Sequence, residues 1–465
     1  MSELVATQSV NHPHRRSLEE LRSCVRGQVH VPGDPDWDEV RRPWSVRVDQ
    51  HPLAVVEVAD DTDVLEAVRW AVRHDRQVTA QPVGHGAYDG MEDVLLLRTR
   101  ALNSITVDLA TGTATVGAGV KAGELLEALQ GTGLTFLAGS SPDPTVVGLT
   151  IGGGLSWFGR AYGLSANAVV AVELVDGLGR ARRITQDSDP ELFWAVRGGG
   201  GNFGIITSIT IGLMPGFELY GGRLLWPVSQ MPAVLRAFRA VAESAPDTLT
   251  LWYHTYQFPP LPVVPEPLRG KAFAAVAATF LGSSQRAEEL LAPLRAIPGL
   301  VLDLMAELPM HELGRITDEP VEPSLTLDTS ALLDDLDDEL IGRLVEAVGE
   351  GSRSPLAVFQ IRHLGGAMAR PRTGQGAAGH ISEPYLMFGL GIPVVPELES
   401  AIRGTFARLR DAAAGHGAGK TVPNLLSPGD DVSRIWSPDT LRRLTSIKHD
   451  VDPLFTIRSN RPLGG

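Results

Sequence analysis

Glycine is concentrated in three short blocks in the amino-terminal half of this chain of 465 residues, at residues 82–90, 139–163 and 197–204. Glycine adopts backbone conformations that other residues avoid, and it lets successive N–H groups point into one concave surface. Such surfaces hold anionic oxygens without a positive side chain. Any fold for this sequence must therefore bring three tight, irregular loops next to regular structure.

Short strands and few helices are predicted between the blocks. Residues 53–58 form an apolar, β-branched run, and Asp63 with Glu66 predicts a capping box for a helix that follows it. Further strands are predicted at residues 77–81, 94–97, 104–108 and 113–117, and a helix at residues 122–129. The helices are too few for a regular βαβ array, so the pattern indicates an α+β fold.

The sequence pattern changes beyond residue 215. Proline-interrupted strands are predicted at 249–256 and 272–280, and amphipathic helices at 285–296 and 334–348. We therefore expect a second domain from about residue 216. Residues 1–45 are interpreted as an arm on the body of the protein, and a helix at residues 438–447 belongs to a compact carboxy-terminal ending.

The charge and cysteine content exclude several classes of partner. With 41 basic and 55 acidic side chains the formal charge is −14, so we expect no nucleic-acid partner. The single cysteine, Cys24, excludes an intrachain disulfide and fits the cytoplasm. No window approaches the ~18 uncharged apolar residues of a membrane span, and no export signal is recognised.

The acidic run at residues 334–339 is interpreted as part of a solvated helix face, because leucines alternate with its acids. A metal site is the alternative interpretation. We expect no bound metal.

The first two glycine blocks each permit two interpretations. His85 stands between two glycines directly after a predicted strand, so it is either part of a phosphate-holding loop or an ordinary turn residue. Gly148 and the run Gly152 to Gly154 either let the backbone approach a flat or phosphorylated ligand closely, or form a tight corner of a sheet.

The third block contains a formal G-x-G-x-x-G pattern at Gly199, Gly201 and Gly204. A dinucleotide-binding fingerprint of that kind needs a strand before it and a helix after it. Here residues 192–196 are predicted to be helical and residues 205–213 to form a strand. The order is inverted, and a Rossmann fold is therefore excluded.

Together, the three blocks in this order and spacing resemble the vanillyl-alcohol-oxidase superfamily of FAD enzymes, and within it the berberine-bridge-enzyme-like, FAD-linked oxidases of bacteria. The likeness covers residues 53 to about 213 and is most specific at 189–204, Asp-Pro-Glu-Leu-Phe-Trp-Ala-Val-Arg-Gly-Gly-Gly-Gly-Asn-Phe-Gly. It resumes at residues 360–367 and from Asn424 to Asn460-Arg-Pro.

The resemblance implies an α+β fold in three parts. A two-lobed PCMH-type FAD-binding domain is expected at residues 1–215, with its core at about 48–215. A substrate-binding domain with an antiparallel sheet covered by helices is expected at 216–420. A berberine-bridge-like segment at 421–465 is expected to return to the FAD domain.

The resemblance also implies FAD as the cofactor, with His85 bonded to the 8α carbon of the isoalloxazine ring and the backbone of residues 82–88 around the pyrophosphate. A covalent tether prevents flavin loss, and its electron-withdrawing imidazole makes the ring a stronger oxidant. The residues expected to bind the cofactor are Pro82, Val83, Gly84, His85, Gly86, Ala87, Tyr88, Gly139, Ser140, Ser141, Gly148, Gly152, Gly153, Gly154, Tyr162, Gly163, Gly204, Ile205 and Asn424.

Three positions depart from the family pattern. Many relatives carry a second flavin link through a cysteine where this chain has Ser141, so at most one link is expected. Pro144 stands where relatives control oxygen access, which leaves oxidase and dehydrogenase behaviour open. The family's Tyr-x-Asn is Val422-Pro-Asn424 here, so the tyrosine that often acts as the base is missing.

A substitute base must lie on the sheet of the substrate domain, facing the flavin N5 edge. Tyr385 is our first choice, with a purely structural tyrosine as its alternative; Asn424 completes the catalytic set with Tyr385 and His363. The other candidates are Arg362 and the aromatic run at 252–256, including Tyr253 and His254. Strand alternation puts Gln360 and Arg362 on one face of their strand and Ile361 and His363 on the other.

The expected activity is oxidation of a small organic substrate, such as a sugar, an alcohol or a natural-product intermediate, by hydride transfer to flavin N5. Dioxygen or another acceptor would reoxidise the flavin. A redox-neutral flavin-dependent cyclase and a non-catalytic flavin-binding protein are the alternatives. The sequence specifies neither the substrate nor the oligomeric state.

Overall fold

The computed structural model describes residues 12–216, 218–258, 260, 262, 264, 266–417, 419–427 and 429–464, without the side chains of residues 12–15. The first eleven residues, where the expected arm begins, lie outside this part. Within it, a four-stranded sheet, a five-stranded sheet and a short two-stranded sheet of residues 134–135 and 214–215 form the amino-terminal half, and one large sheet forms most of the rest.

The strands of the described part, in chain order, are β1 Gln28–His30, β2 Ala54–Glu57, β3 Gln77–Ala80, β4 Val94–Arg98, β5 Ile105–Asp108, β6 Thr113–Gly117, β7 Leu134–Thr135, β8 Val169–Asp176, β9 Ala181–Ile184, β10 Gly204–Gly212, β11 Met214–Pro215, β12 Leu219–Pro227, β13 Leu249–Gln257, β14 Ala272–Leu281, β15 Leu302–Asp303, β16 Ala306–Leu308, β17 Leu327–Leu333, β18 Val358–His363 and β19 Tyr385–Gly391.

The α-helices of the described part are α1 His12–Cys24, α2 Trp37–Val40, α3 Asp61–Arg73, α4 Ala122–Ala128, α5 Val146–Ile151, α6 Gly159–Tyr162, α7 Pro190–Gly199, α8 Met231–Ser244, α9 Ser284–Arg295, α10 Asp338–Val348, α11 Pro396–Ala412 and α12 Pro438–Val451. None of these helices is long and apolar enough to cross a membrane.

The first sheet has the strand order β1-β2-β4-β3 and contains part of the expected arm. Strand β1 pairs antiparallel with β2, while β2, β4 and β3 run parallel. The predicted capping box is wrong. The N-cap of α3 is Asp60, and the buried Asp63 carboxylate instead accepts the N–H groups of Arg26, Gly27 and Ala59 at 2.7, 2.8 and 2.8 Å. Asp63 thus fixes the arm to the body.

The second sheet is antiparallel, with the order β5-β6-β10-β8-β9. Helix α7 precedes β10, as the sequence predicted for the third glycine block, with Pro190 at its first turn and Asp189 as its N-cap. The helix-then-strand order excludes the nucleotide-binding geometry of a Rossmann unit.

The large sheet has the order β15-β12-β14-β13-β18-β19-β17, with β16 also paired to β12. One face packs on α8, α9, α10 and α11 through a continuous apolar core. The opposite face packs on the amino-terminal half, where the Trp157 and Trp252 rings stack with centroids 3.8 Å apart. Leu332 and Leu386 of the same face pack with Leu155. Side-chain alternation therefore decides which residues face the first half of the chain.

The carboxy-terminal segment returns to the first sheet. The N–H of Val78 donates to the Thr456 carbonyl and the N–H of Arg458 donates to the Val78 carbonyl, both at 2.8 Å. The buried ammonium of Lys448 donates to the Asp452 carboxylate and, at 2.7 Å, to the carbonyl of Asn202 in the third glycine block. This ending is packed, as expected.

The acidic run at residues 334–339 precedes and begins α10. The helix begins at Asp338, four residues later than predicted, because Asp337 caps it by accepting the Leu340 N–H at 2.7 Å. Asp335 lies 2.7 Å from Nδ1 of His416, whose Nε2 is 3.0 Å from a guanidinium nitrogen of Arg343. The α+β class with helix-covered antiparallel sheets is confirmed.

Candidate cofactor and substrate site

The first glycine block is a loop between β3 and β4, and neighbouring segments hold it through its carbonyl groups. The carbonyls of Val83 and Gly84 accept the N–H groups of Trp44 and Ser45 at 3.0 and 3.3 Å. The Gly86 carbonyl accepts the Asn460 amide at 3.0 Å. Among the described residues, no acceptor takes a hydrogen bond from the N–H of Gly84, His85 or Gly86.

Glycine is required at position 84 because its φ is +99° and an added Cβ would lie 2.8 Å from the Cβ of Pro43. The loop therefore has three consecutive unpaired N–H groups, whereas the carbonyls of Val83, Gly84 and Gly86 are bound. That is the arrangement that holds phosphate oxygens.

His85 is oriented by an acidic residue of the second glycine block. Its Nε2 lies 2.8 Å from Oδ2 of Asp143, and the Asp143 Oδ1 accepts from the Lys121 ammonium at 2.5 Å. The imidazole also packs against the Trp44 ring, with centroids 4.2 Å apart. Burial opposes ionisation of Asp143, but the hydrogen bonds from His85 and Lys121 hold the pKa of that carboxyl below its usual value. An ionised Asp143 accepts the Nε2–H and leaves Nδ1 of His85 as the nitrogen with a free lone pair.

Asn424 fixes the second glycine block at its far end. Its side-chain oxygen accepts the Gly154 N–H at 2.8 Å, and its amide donates to the Leu149 carbonyl at 3.1 Å. An added Cβ at Gly152 would lie 2.5 Å from the Asn424 amide nitrogen, and one at Gly154 would lie 2.5 Å from the Cβ of Ser165. Neighbouring side chains thus approach the backbone of Gly152 and Gly154 too closely for a Cβ, and Asn424 supports the loop.

The third glycine block meets the second through Ala378. An added Cβ at Gly198 would lie 2.1 Å from the Ala378 nitrogen, and one at Gly153 would lie 3.6 Å from the Ala378 Cβ. Gly204 lies against the Val175 carbonyl, and Ile205 is buried in the core beside the first sheet, so both residues sit in strand pairing rather than in an open loop.

The other expected cofactor residues lie around these loops. The Ser141 hydroxyl accepts the Asp143 N–H at 3.3 Å, and the Ser140 carbonyl accepts from Thr317 at 3.4 Å. Gly148 lies in α5, its N–H taken by Thr145. Pro82, Val83, Ala87, Tyr88, Gly139, Tyr162 and Gly163 occupy the loops or helix ends as the motifs placed them.

Strand alternation separates the candidate bases. Tyr385 and His363 point to the helix-covered face: Tyr385 packs 6.2 Å from the Phe238 ring of α8, centroid to centroid. Nε2 of His363 accepts from Arg160 at 2.8 Å, and burial together with that guanidinium lowers the pKa of His363 to about 3. Burial raises the pKa of Tyr385 to about 12. This placement corrects the expectation that these two side chains face the flavin.

The face of the large sheet toward the amino-terminal half carries a different set of polar side chains. The register places His254 opposite Gln360, and Gln360 opposite Phe388, while Arg362 lies opposite Trp252. The Arg362 guanidinium lies 4.0 Å from the Trp252 ring centroid, and its Nε donates to Gln360 at 2.8 Å. Both ring nitrogens of the fully buried His254 are without a hydrogen-bond partner in the described part.

A cavity of about 580 Å³ opens beside the first loop. Its wall includes His85, Ala87 and Ser45, and on the other side Asp328 of β17 and Arg434. Burial raises the pKa of Asp328, although the Ser427 hydroxyl donates to its carboxyl at 2.6 Å. His85 therefore borders an open space that extends to the edge strand of the large sheet.

These features fit FAD. The unpaired N–H groups of the first loop suit a pyrophosphate, Gly152 and Gly154 leave no room for a Cβ, and His85 is held with one nitrogen free. Sequence reasoning did not assign a role to Asp143 or Lys121. The role of Asp143 follows from its contact with His85, which lies 58 residues away in the sequence. No local sequence pattern reveals such a contact.

Comparison with known proteins supports FAD as the cofactor. Residues 52–185 match the family described as "FAD binding domain". The (R)-6-hydroxynicotine oxidase of Paenarthrobacter nicotinovorans is 25% identical over 452 residues, which are 94% of this chain and 96% of the relative.

Two solved structures share the whole fold. The wild-type BBE-like 1 protein of Physcomitrella patens has a TM-score of 0.82 at 18% identity and covers 96% of this chain and 99% of its own. The xylooligosaccharide oxidase of Myceliophthora thermophila C1 has a TM-score of 0.80 at 19% identity and covers 97% of this chain and 100% of its own.

The FAD-binding match and the curated relatives support a flavin-dependent oxidoreductase. The resemblance to the FAD-linked oxidases of the vanillyl-alcohol-oxidase, PCMH-type family, which the three glycine blocks predicted, is confirmed by these similarities.

Proposed function

We propose that the protein binds one FAD covalently through Nδ1 of His85 and uses it to oxidise a small organic molecule held against the large sheet. The observation that carries the proposal is the contact between His85 and Asp143. It fixes the tautomer and the direction of the imidazole at the mouth of a loop with unpaired N–H groups.

The attachment would join Nδ1 of His85 to the 8α methyl carbon. The two groups together lose two hydrogens, for which dioxygen is the acceptor. One of these hydrogens would come from the methyl group and the other from Nε2 of His85, whose proton would pass to Asp143 once Nδ1 is bonded. Until then Asp143 accepts the Nε2–H and Lys121 balances its charge, so these side chains position the nucleophile. Bound in this way, FAD would supply the two-electron acceptor for the substrate.

The substrate would lie on the sheet face that carries His254, Gln360 and Arg362, within the segment 216–420 that we propose as the substrate domain. Trp157 and Trp252 close one end of that face against the amino-terminal half and exclude water there. Because the proteins compared above include an (R)-6-hydroxynicotine oxidase and a xylooligosaccharide oxidase, we propose a small polar organic substrate and dioxygen as the acceptor. The single cysteine supports a cytoplasmic location.

Anaerobic mixing tests the redox step. The purified yellow protein is mixed, without oxygen, with panels of sugars, alcohols, amines and hydroxy acids. We expect at least one panel member to bleach the visible flavin band and admission of oxygen to restore it. Turnover with an unchanged flavin spectrum contradicts the proposal and indicates redox-neutral chemistry.

A further inference from the structure

A buried cation that makes no ion pair with any described residue lies on the sheet face toward the amino-terminal half. Arg362 is 9% exposed, and its Nε is occupied by the neutral side chain of Gln360 at 2.8 Å. Its two terminal nitrogens donate to no described residue, and no carboxylate of the described part is within ion-pair distance of them. Burial lowers the pKa of Arg362 to about 10, which still leaves it charged at neutral pH.

The surroundings of Arg362 offset only part of the cost of burying this charge. The guanidinium lies 4.0 Å from the Trp252 ring centroid and 5.4 Å from that of Phe388. The Glu319 carboxylate acts on the Arg362 charge only from beyond ion-pair distance. Cation–π contacts are weaker than an ion pair with hydrogen bonds, and a buried charge without a directly paired counter-ion is unfavourable. An anionic partner from outside the chain would remove that cost.

His254 is a second, independent indication of a ligand at the same face. It is 0% exposed, its ring stacks 5.0 Å from that of Tyr256, and both of its nitrogens lack a partner in the described part. Burial, with Arg362 and Arg223 nearby, lowers the pKa of His254 and keeps it neutral. A neutral imidazole offers one donor and one acceptor, and buried polar groups are rarely left unpaired.

We propose that the substrate carries a carboxylate, which pairs end-on with the two terminal nitrogens of Arg362 while an adjacent polar group of the substrate bonds to His254. This inference rests on the proposed function, since it specifies the class of molecule that the same site oxidises. The planar carboxylate is favoured because Gln360 occupies Nε and leaves the two terminal nitrogens as a parallel pair, which matches the two oxygens of a carboxylate.

Sodium benzoate and benzamide test the proposal, because they have nearly the same shape and differ in charge. Each is titrated into the flavin-loaded protein while the flavin absorption spectrum and the thermal unfolding midpoint are followed. We expect benzoate to bind saturably and benzamide to bind at least about tenfold more weakly. In R362Q the benzoate affinity should fall at least about tenfold and approach that of benzamide. R362K keeps the positive charge but lacks the two parallel N–H donors, so its benzoate affinity should be intermediate.

Arg236→Gln is the matched control, since Arg236 is an exposed arginine of α8 on the opposite side of the sheet, paired with Asp338 at 3.1 Å. This variant should bind benzoate like the parent protein. Circular dichroism and the flavin-to-protein ratio establish that each variant is folded and loaded; if R362Q fails this check, R362K decides the matter alone.

Equal binding of benzoate and benzamide would overturn the inference, as would unchanged benzoate affinity in the folded arginine variants. Altered flavin reduction potential in R362Q with unaltered benzoate binding would also overturn it, because Arg362 would then serve the flavin. Protein that takes up no flavin is a separate result, which contradicts the proposed function and not this pairing.

Discussion

Nε2 of His85 lies 2.8 Å from Oδ2 of Asp143, and the two residues come from different glycine-rich blocks. The carboxylate is 5% exposed and also binds the Lys121 ammonium, so it cannot turn away to solvent without breaking an ion pair. The pair joins the loop expected to hold the pyrophosphate to the loop expected to border the ring. It also leaves Nδ1 as the imidazole nitrogen of His85 that has no hydrogen-bond partner among the described residues.

Asp143→Asn should slow covalent flavin attachment. The amide has no charge to hold the Nε2 proton of His85, so Nδ1 is less often the free nitrogen. We expect the rate at which acid-stable flavin forms, after FAD is added to protein from riboflavin-starved cells, to fall at least about tenfold. Lys121→Met keeps the Asp143 carboxylate and is the control; it should slow attachment less. Equal rates in Asp143→Asn and the parent protein would show that His85 is oriented by other contacts.

Gly154→Ala should reduce flavin binding. Its φ of +73° disfavours alanine, and the added Cβ would lie 2.5 Å from the Cβ of Ser165. Gly131→Ala is the matched control, because φ is +75° and nothing lies within 4 Å of the added Cβ. Both substitutions should lower the free energy of unfolding by about 1–2 kcal/mol for the backbone conformation, and Gly154→Ala by at least about 1 kcal/mol more for the clash. The flavin-to-protein ratio should fall only in Gly154→Ala; an equal fall in both would indicate a general loss of stability.

Asn424→Ala should weaken FAD binding without unfolding the chain. It removes two hydrogen bonds, to the N–H of Gly154 and the carbonyl of Leu149, and so loosens the second glycine block. We expect a loss of about 1–3 kcal/mol in the stability of that block. The measurement is the rate of FAD release from the His85→Ala background, where no covalent bond retains it. An unchanged release rate would show that Asn424 does not support the cofactor site.

The stability of the protein should fall in acid partly through His363. The pKa of His363 in the folded protein is about 3, below the ordinary value of 6.5. Between these two pH values His363 therefore binds a proton in the unfolded chain and not in the folded chain. The contribution is fully present above pH 6.5 and is lost as the pH falls toward 3. We expect His363→Gln, which keeps an acceptor for Arg160, to reduce the loss in unfolding free energy between pH 7 and pH 5 by about 2 kcal/mol. Identical pH dependence in His363→Gln and the parent protein would contradict the buried neutral imidazole.

Local sequence patterns predicted the elements of this fold more reliably than their contacts. The helix before Gly204 and the strand after it follow from the composition on either side of the third block, and they are present. The alternation that separates Arg362 from His363 is also present. The sequence did not reveal which face looks toward the amino-terminal half, because that depends on Trp157 stacking on Trp252 across 95 residues of sequence. For the same reason Tyr385 was expected on the wrong face.

The predicted N-cap of α3 was wrong for a different physical reason. Asp60 and Asp63 both suit an N-cap, and the choice between them depends on the arm, whose N–H groups at Arg26 and Gly27 need a buried acceptor. A local motif carries no information about that tertiary contact.

Acid precipitation tests directly whether His85 anchors the flavin. Purified protein and His85→Ala are each precipitated with acid and washed, and the visible flavin absorbance of pellet and supernatant is compared. We predict yellow in the pellet of the parent protein and yellow only in the supernatant of the variant, with a mass increase of one FAD on the His85 peptide. Equally acid-stable flavin in both proteins, or none in either, would contradict the account.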